Sequence, residues 1–417
     1  MTSLNVPATL DTTNDPTADI RDAIARASNM PELSDKIWFH RTAGAVIDAQ
    51  RCVGCGGCIA ACPSRSISVG EDGHPTLTRM CTGCSACWDY CPLAGLRVER
   101  LTGQTPHPAP GVDISIGAVL AAHSGVALRP APTAQDGGVI TALLAALIDA
   151  KEVDGAILSR RIDAFHGETI LATSAEAVRQ AAGSVYNQSH PLALLNESLP
   201  PGVTRIAFVG TPCQISVLRM LQRFPWKNRE SIANAVVLTI SLLCTRSFDP
   251  VALQETVAKA GVSTSEVERI DIRDGQLRAY GDSGTELLAK PVREFHEATL
   301  QGCAECADFT GLSADLAVGN LASTPGRSTV LVRTEAGRRA LADGAAALEL
   351  EPLAKLDSIK RTAQRERRLA ERSIARDFDP EAPLWVSYSE HVNAYLGTTR
   401  TPVAPPVHRS QHYDVTC

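Results

Sequence analysis

The sequence predicts a small α+β module followed by a larger α/β domain with a largely parallel sheet. Three observations carry this: two cysteine-rich runs within residues 52–92, a Pro-rich break near residues 102–110, and alternating buried strands and amphipathic helices beyond it. In the first module Ile67 and Val69 against Leu77 read as a hairpin, while Val46-Ile47 and Leu96-Arg97-Val98 read as short strands that close the unit. The module spans 41–102 after a polar extension, 1–40, and the linker 103–113 holds Pro106, Pro108 and Pro110. In the domain that follows, 114–350, Gly137-Gly138 precedes Val139, Ile140, Leu143, Leu144, Leu147 and Ile148 at helical spacing. Ala156-Ile157-Leu158, Arg205 to Gly210, Ala235 to Leu243 and Ala314 to Gly319 read as buried strands, and Ile215, Leu218 and Leu221 as a helix after the second of them. The remainder, 351–417, predicts a basic helix from Lys355 to Arg376, whose bland reading is a solvated face and whose functional reading is a docking surface for an acidic carrier. An extended Pro-rich tail at Thr401–His408 follows, with Trp385 and Tyr388 between helix and tail.

Composition narrows the function. The 417 residues carry a net charge of −6 and only 4% aromatic side chains, which excludes a polyanion-binding surface with base-stacking platforms. No apolar run reaches the length of a membrane span, and the acidic start (Asp11, Asp15, Asp19) lacks the order of a secretory signal, so the expected location is cytoplasmic. In that compartment the 13 cysteines are expected to be metal ligands or redox groups rather than structural disulfides.

Residues 52–63 read C-V-G-C-G-G-C-I-A-A-C-P and residues 81–92 read C-T-G-C-S-A-C-W-D-Y-C-P. Both fit Cys-x2-Cys-x2-Cys-x3-Cys-Pro, the pattern of two-cluster bacterial ferredoxins, in which the fourth Cys of each run serves the other cluster. Cys52, Cys55, Cys58 and Cys91 are therefore expected to hold one 4Fe-4S centre, and Cys81, Cys84, Cys87 and Cys62 the second. Gly54, Gly56, Gly57 and Gly83 let backbone amides approach the sulfides. A pair of zinc sites, the alternative, would take two Cys pairs separated by a longer loop.

Cys213 and Cys244 follow predicted strand ends, the edge where open α/β sheets bind ligands, and Cys303-Ala304-Glu305-Cys306 precedes another strand. These four thiols are candidates for a third 4Fe-4S cluster, with a redox thiol set or inert packing as the alternatives. Cys417 reads as an exposed thiol.

The ordered set Gly137-Gly138-Val139-Ile140-Thr141, Gly183-Ser184-Val185-Tyr186-Asn187, Gly210-Thr211-Pro212-Cys213-Gln214, Cys244 and Cys303-x2-Cys306-x-Asp308-Phe309, followed by Ala314-Asp315 and Gly319, resembles the coenzyme F-420 hydrogenase/dehydrogenase beta-subunit family. The resemblance implies an FAD-bearing domain that exchanges hydride with a deazaflavin coenzyme or another small molecule, while iron–sulfur centres relay single electrons to or from a redox protein or other subunits of a complex. It implies FAD contacts at Gly137, Gly138 and Thr141, with Ser184, Asn187 and Thr211 as further candidates, and metal ligation at Cys213, Cys244, Cys303 and Cys306. It names no catalytic residue. Gln135-Asp136 stand where relatives often carry two Ser, and Val185 where many carry Lys, which removes a cation from the site. The family also includes ferredoxin-dependent reductases of chlorophyll-type pigments, so an FAD-dependent reductase of an organic substrate stays open, as does a purely electron-transferring subunit.

Overall fold

The computed structural model describes residues 38–84, 86–94, 113, 115–223 and 232–374. The chain enters through α1 (Phe39–Thr42), which continues as a wider helical turn over Ala43–Asp48. The strand expected at Val46-Ile47 is therefore a helix. Its carbonyls are used locally, Val46 O accepting from the Arg51 N–H at 2.7 Å and Ala45 O from Arg51 Nη1 at 2.9 Å, so no neighbouring strand is needed. The partner strand expected at Leu96-Arg97-Val98 lies outside the described residues, as do Trp385, Tyr388, the Pro-rich tail and Cys417.

The first cysteine run ends in α2 (Gly57–Ala60), followed by the hairpin β1 (Ile67–Val69) and β2 (Pro75–Leu77), and the second run contains α3 (Ala86–Asp89). The hairpin pairs Ile67 with Leu77, as the apolar spacing requires.

The larger domain is one eight-stranded sheet in the order β13-β3-β12-β11-β7-β6-β4-β5. In chain order these are β3 (Ala121–Ala127), β4 (Gly155–Arg161), β5 (Gly167–Ala172), β6 (Ile206–Gly210), β7 (Val236–Leu242), β11 (Leu316–Gly319), β12 (Ser328–Val332) and β13 (Leu348–Pro352). The central neighbours β11, β7, β6 and β4 are parallel, and antiparallel strands flank them. Two antiparallel steps, through β12, return β3 to the direction of the centre. Five strand ends (β3, β4, β6, β7 and β11) therefore share one edge, where ligands of open α/β sheets bind.

The helices α4 (Val139–Asp149), α5 (Ala175–Gln180), α6 (Pro212–Arg223), α7 (Pro250–Lys259), α8 (Glu335–Asp343) and α9 (Asp357–Ile374) complete the fold. Three begin at side-chain caps: Ser174 accepts from Ala177 N–H, Asp249 from Ala252 N–H and Thr334 from Gly337 N–H. Leu143, Leu144 and Leu147 of α4 bury against Ala156, Leu158, Leu238 and Ile240 on one sheet face. On the other face Ile215, Leu218 and Leu221 of α6 share a core with the cysteine-rich module through Val53, Ala60, Trp88 and Tyr90. A three-stranded antiparallel sheet unannounced by the sequence, β8 (Arg269–Arg273), β9 (Gln276–Tyr280) and β10 (Glu286–Pro291), is inserted between β7 and β11. It packs with α7 on Phe248, Leu253, Val257, Ile270 and Leu277.

Asp315, singled out beside Ala314 as part of the resemblance, ties the sheet. It is 4% exposed and accepts from Arg219 Nη2 at 2.7 Å, Thr239 N–H at 2.8 Å and Thr334 Oγ1 at 2.6 Å. Asp315→Ala leaves a partly buried guanidinium and a buried amide without their acceptor. We expect it to cost about 3–5 kcal/mol of stability, read as a lower denaturant midpoint; an unchanged midpoint would show that the network contributes nothing.

Candidate functional site

The crossed assignment of the two cysteine runs has a spatial counterpart. Cys62, from the first run, lines one cavity with Cys81, Cys84 and Cys87. Burial pushes the Cys52 thiol up to about 11, and the proximity of Cys91 adds to the rise. The Cys55 and Cys58 thiols are held well above the usual range, first by burial and then by neighbours that include Cys52 and Cys91. Cys91 thus stands with the first three cysteines of the other run. Amides face these sulfurs: Gly54 N–H lies 3.4 Å from Cys52 Sγ, Gly57 N–H 3.4 Å from Cys55 Sγ, Gly83 N–H 3.4 Å from Cys81 Sγ and Ser66 N–H 3.3 Å from Cys62 Sγ. Such donors favour thiolate, and buried thiols crowded by like groups stay protonated unless a metal neutralises them. Among the described residues no group of three His, Cys, Asp or Glu side chains is arranged to hold a single metal ion.

Cys213, Cys244, Cys303 and Cys306 are brought together. They line one cavity with Val53, Gln188, Thr211, Ser247, Glu305 and Asp308. Cys213 sits in the first turn of α6 after β6, and Cys244 two residues beyond β7, both at the shared strand-end edge. Burial pushes Cys213 up to about 12, with Cys303 nearby adding to it, and holds Cys244 well above the ordinary value with help from Cys303 and Cys213. Asp308 folds the loop that follows the Cys303–Cys306 pair, its carboxylate accepting from the Gly311 N–H at 2.8 Å and the Leu312 N–H at 2.9 Å. That loop reaches back to the third cysteine, Cys244 N–H donating to Phe309 O at 3.0 Å.

The three sets adjoin in a row. Cys55 feels Cys213, and Cys58 feels Cys87, so the Cys52/Cys55/Cys58/Cys91 set lies between the other two.

The expected flavin residues divide. Gly138 starts α4 with φ +64°, a left-handed conformation that glycine takes without penalty. The close approach at Gly137 is internal, since a Cβ there would collide with Gly125 O and Ser328. Its N–H donates to Ser328 Oγ at 3.2 Å, and that of Gly138 to Gln135 O at 3.3 Å, so these two amides serve the turn. Thr141 lies half-buried in the first turn of α4. The Gly183–Asn187 segment packs on the same turn: Gln135 Nε2 donates to the Tyr186 hydroxyl at 3.0 Å, and Ser184 also bonds that hydroxyl. Asn187 Oδ1 is buried with no hydrogen-bond partner among the described residues. Thr211 belongs to the cysteine cavity instead, its hydroxyl 3.2 Å from Cys213 Sγ. Between the two regions, Gln188 hydrogen-bonds Gln214 and donates to Ser247 Oγ at 2.5 Å.

Several residues of the site were not singled out from sequence. Arg161, at the end of β4, has a buried Nη1 with no hydrogen-bond partner among the described residues, and it lies 3.5 Å from where a Cβ on Gly183 would fall. Burial lowers its pKa, and Asp271 on the inserted sheet partly restores it. Val185 packs on Gly167. Arg51 and Glu305 form a buried ion pair at 2.7 Å. Arg161 stood at the expected strand-end edge, the one signal available; nothing local marked the pairing of Arg51 with Glu305. The basic helix forms as α9, with Ile359, Ala363, Glu366 and Ala370 buried and Arg361, Arg365, Arg368 and Arg372 exposed. It packs on the 3-10 helix Gln301–Glu305 that carries Cys303.

An α/β sheet that gathers thiols at its strand-end edge, preceded by a module of crossed cysteine sets, defines an iron–sulfur redox protein. Residues 45–97 match the 4Fe-4S dicluster domain, residues 122–196 the N-terminal part and residues 203–355 the C-terminal part of the coenzyme F-420 hydrogenase/dehydrogenase beta subunit. The chain belongs to that beta-subunit family. It is 29% identical over 360 residues to an uncharacterized protein of Methanocaldococcus jannaschii, covering 79% of this chain and 96% of that one. It is 32% identical over 250 residues to the coenzyme F-420-dependent sulfite reductase of the same organism, covering 56% of this chain but only 39% of the reductase. Among solved structures, a chain of the F-420-reducing NiFe hydrogenase complex of Methanosarcina barkeri superposes with a TM-score of 0.59 and 26% identity, covering 63% of this chain and 94% of that chain. No helix among the described residues is long and apolar enough to cross a membrane.

Proposed function

We propose that this chain is an iron–sulfur flavoprotein oxidoreductase that exchanges hydride between coenzyme F-420 and FAD and relays single electrons to or from a partner protein. In this reading residues 41–102 hold two 4Fe-4S clusters on the crossed sets, and residues 114–350 hold FAD and a third cluster on Cys213, Cys244, Cys303 and Cys306. Bound FAD would supply the exchange between hydride and single electrons, and the clusters one-electron storage.

The observation that carries the reading is contiguity. The Gly137–Thr141 turn, the Gly183–Asn187 segment, Gln188 and the four-cysteine cavity form one connected edge. Arg161 offers the cation that Val185 does not, with a buried N–H free for an anionic group such as a flavin phosphate. Asn187 Oδ1, on the segment whose Gly183 end Arg161 approaches, offers a buried acceptor. At the far end of the row, Leu77 lines the Cys62/Cys81/Cys84/Cys87 cavity and Met80 precedes Cys81, and both side chains are exposed, which suits contact with a redox partner.

The test is anaerobic purification followed by flavin analysis. The wild-type chain is expected to retain FAD, and Arg161→Met to weaken retention by about tenfold or more with iron per chain unchanged. A wild-type chain without flavin absorbance leaves only the electron-transferring subunit. Reduction of bound FAD by reduced F-420 but not by reduced ferredoxin supports the reading; the opposite result moves the chain to the ferredoxin-dependent reductases.

A further inference from the structure

We infer that Arg51 and Glu305 are positioning residues: their ion pair fixes the spacing between the Cys52/Cys55/Cys58/Cys91 set and the Cys213/Cys244/Cys303/Cys306 set, and so the electron exchange between them. The inference rests on the reading that both sets hold clusters.

Arg51 immediately precedes Cys52, and Glu305 immediately precedes Cys306. Each partner of the pair is thus one residue from a ligand of a different centre, although 254 positions separate them in the chain. The contact is bidentate, Nε to Oε1 at 2.7 Å and Nη2 to Oε2 at 2.7 Å. Arg51 is 4% and Glu305 3% exposed. The guanidinium also donates from Nη1 to Ala45 O and from Nη2 to Leu93 O, each at 2.9 Å. It therefore grips the module on both sides of its cysteines, at Ala45 before the first run and at Leu93 after the second. A Cβ on Gly302 would collide with Arg51 O, and Gln301 Nε2 donates to Gln50 Oε1 at 2.9 Å, so the two segments meet along their length.

A buried ion pair is a poor way to gain stability, because desolvation offsets the attraction and apolar side chains of equal size often do as well. What the fork geometry adds is direction: two parallel hydrogen bonds fix angle as well as distance. Apolar packing would hold the module on the sheet but would let it slide. The pair stands where sliding would matter, since Glu305 itself lines the cavity of Cys213, Cys244, Cys303 and Cys306.

The experiment uses the full-length, cluster-loaded chain. The magnetic interaction between the two sets is read as the splitting and relaxation broadening that the Cys52/Cys55/Cys58/Cys91 signal shows in the reduced wild-type electron paramagnetic resonance spectrum and lacks in Cys306→Ser. In the double variant Arg51→Met/Glu305→Met, which keeps volume and leaves no unpaired buried charge, iron per chain is expected to stay at the wild-type level. The interaction component should be lost, and internal electron exchange followed by rapid freezing should slow at least about tenfold. Glu305→Gln, which keeps shape and one neutral hydrogen bond, should fall between. Full iron with a wild-type interaction component overturns the inference. Loss of iron from both sets in both variants overturns it too, assigning the pair to folding alone. If Cys306→Ser leaves iron and spectrum unaltered, the third-cluster reading itself falls, and the positioning role with it.

Discussion

Cys306→Ser is expected to lower iron from about twelve to about eight per chain, to leave FAD bound and reducible by its hydride donor, and to abolish electron delivery to an external acceptor. Cys306 belongs to a set whose four thiols share one cavity, drawn from the ends of β6 and β7 and from the loop before β11. Serine keeps the size of the side chain and its contact with Asp308 O, which Cys306 Sγ makes at 3.6 Å, so folding is spared. An alkoxide is a far harder ligand to form at neutral pH than a thiolate, so the metal site suffers. The candidate flavin residues Gly137, Gly138 and Ser184 bond to Ser328, Gln135 and Tyr186, and flavin reduction should persist. Because this set adjoins the Cys52/Cys55/Cys58/Cys91 set through Cys213 and Cys55, its loss interrupts the row next to the flavin side. Unchanged iron together with normal delivery would make these cysteines packing or redox thiols.

The second large effect tests the crossing of the fourth ligands. Cys62→Ser is expected to remove the centre otherwise held by Cys81, Cys84 and Cys87, and Cys91→Ser the centre held by Cys52, Cys55 and Cys58, each with about four irons lost. Cys62 lines the cavity of the second run, while Cys91 is felt electrostatically by Cys52, Cys55 and Cys58. The two variants also differ functionally. Cys91→Ser strikes the middle of the row and should isolate the flavin side from the far set. Cys62→Ser strikes the far end and should leave exchange between the other two sets intact, while delivery to a protein acceptor fails. Spectra of the separately reduced variants distinguish the centres; if Cys62→Ser spares the centre of the second run, the ligands do not cross.

Element prediction succeeded where a pattern was local. The strands at β6 and β11 are apolar runs with no polar interruption, β7 adds only Thr239 and Ser241 to such a run, and α4 repeats its leucines every three or four positions. It failed at Val46-Ile47, where two β-branched residues in sequence outweighed the helical turn that actually satisfies their backbone. It also missed β8–β10, whose apolar residues are interrupted by Arg269, Asp271, Arg273, Arg278, Glu286 and Lys290 and which owe their pairing to the Phe248–Val257 core beneath them. The candidate flavin residues were legible only as a family resemblance, and the turn glycines are needed for packing against Gly125 and Ser328.

The two cysteine runs and the family are readable from the chain alone, because ligand spacing within a run is fixed by a few backbone torsions and survives without knowledge of the fold. That Cys213 and Cys244 follow strands is equally readable, since strand ends are marked locally. Folding alone brings four cysteines spread over residues 213–306 to one cavity, sets the Cys52/Cys55/Cys58/Cys91 set next to each of the others, and joins Arg51 to Glu305 across 254 positions. Those facts depend on the order of strands in the sheet and on how the module docks upon α6. Strand order and docking are set by the summed burial of many side chains, so no short segment records them.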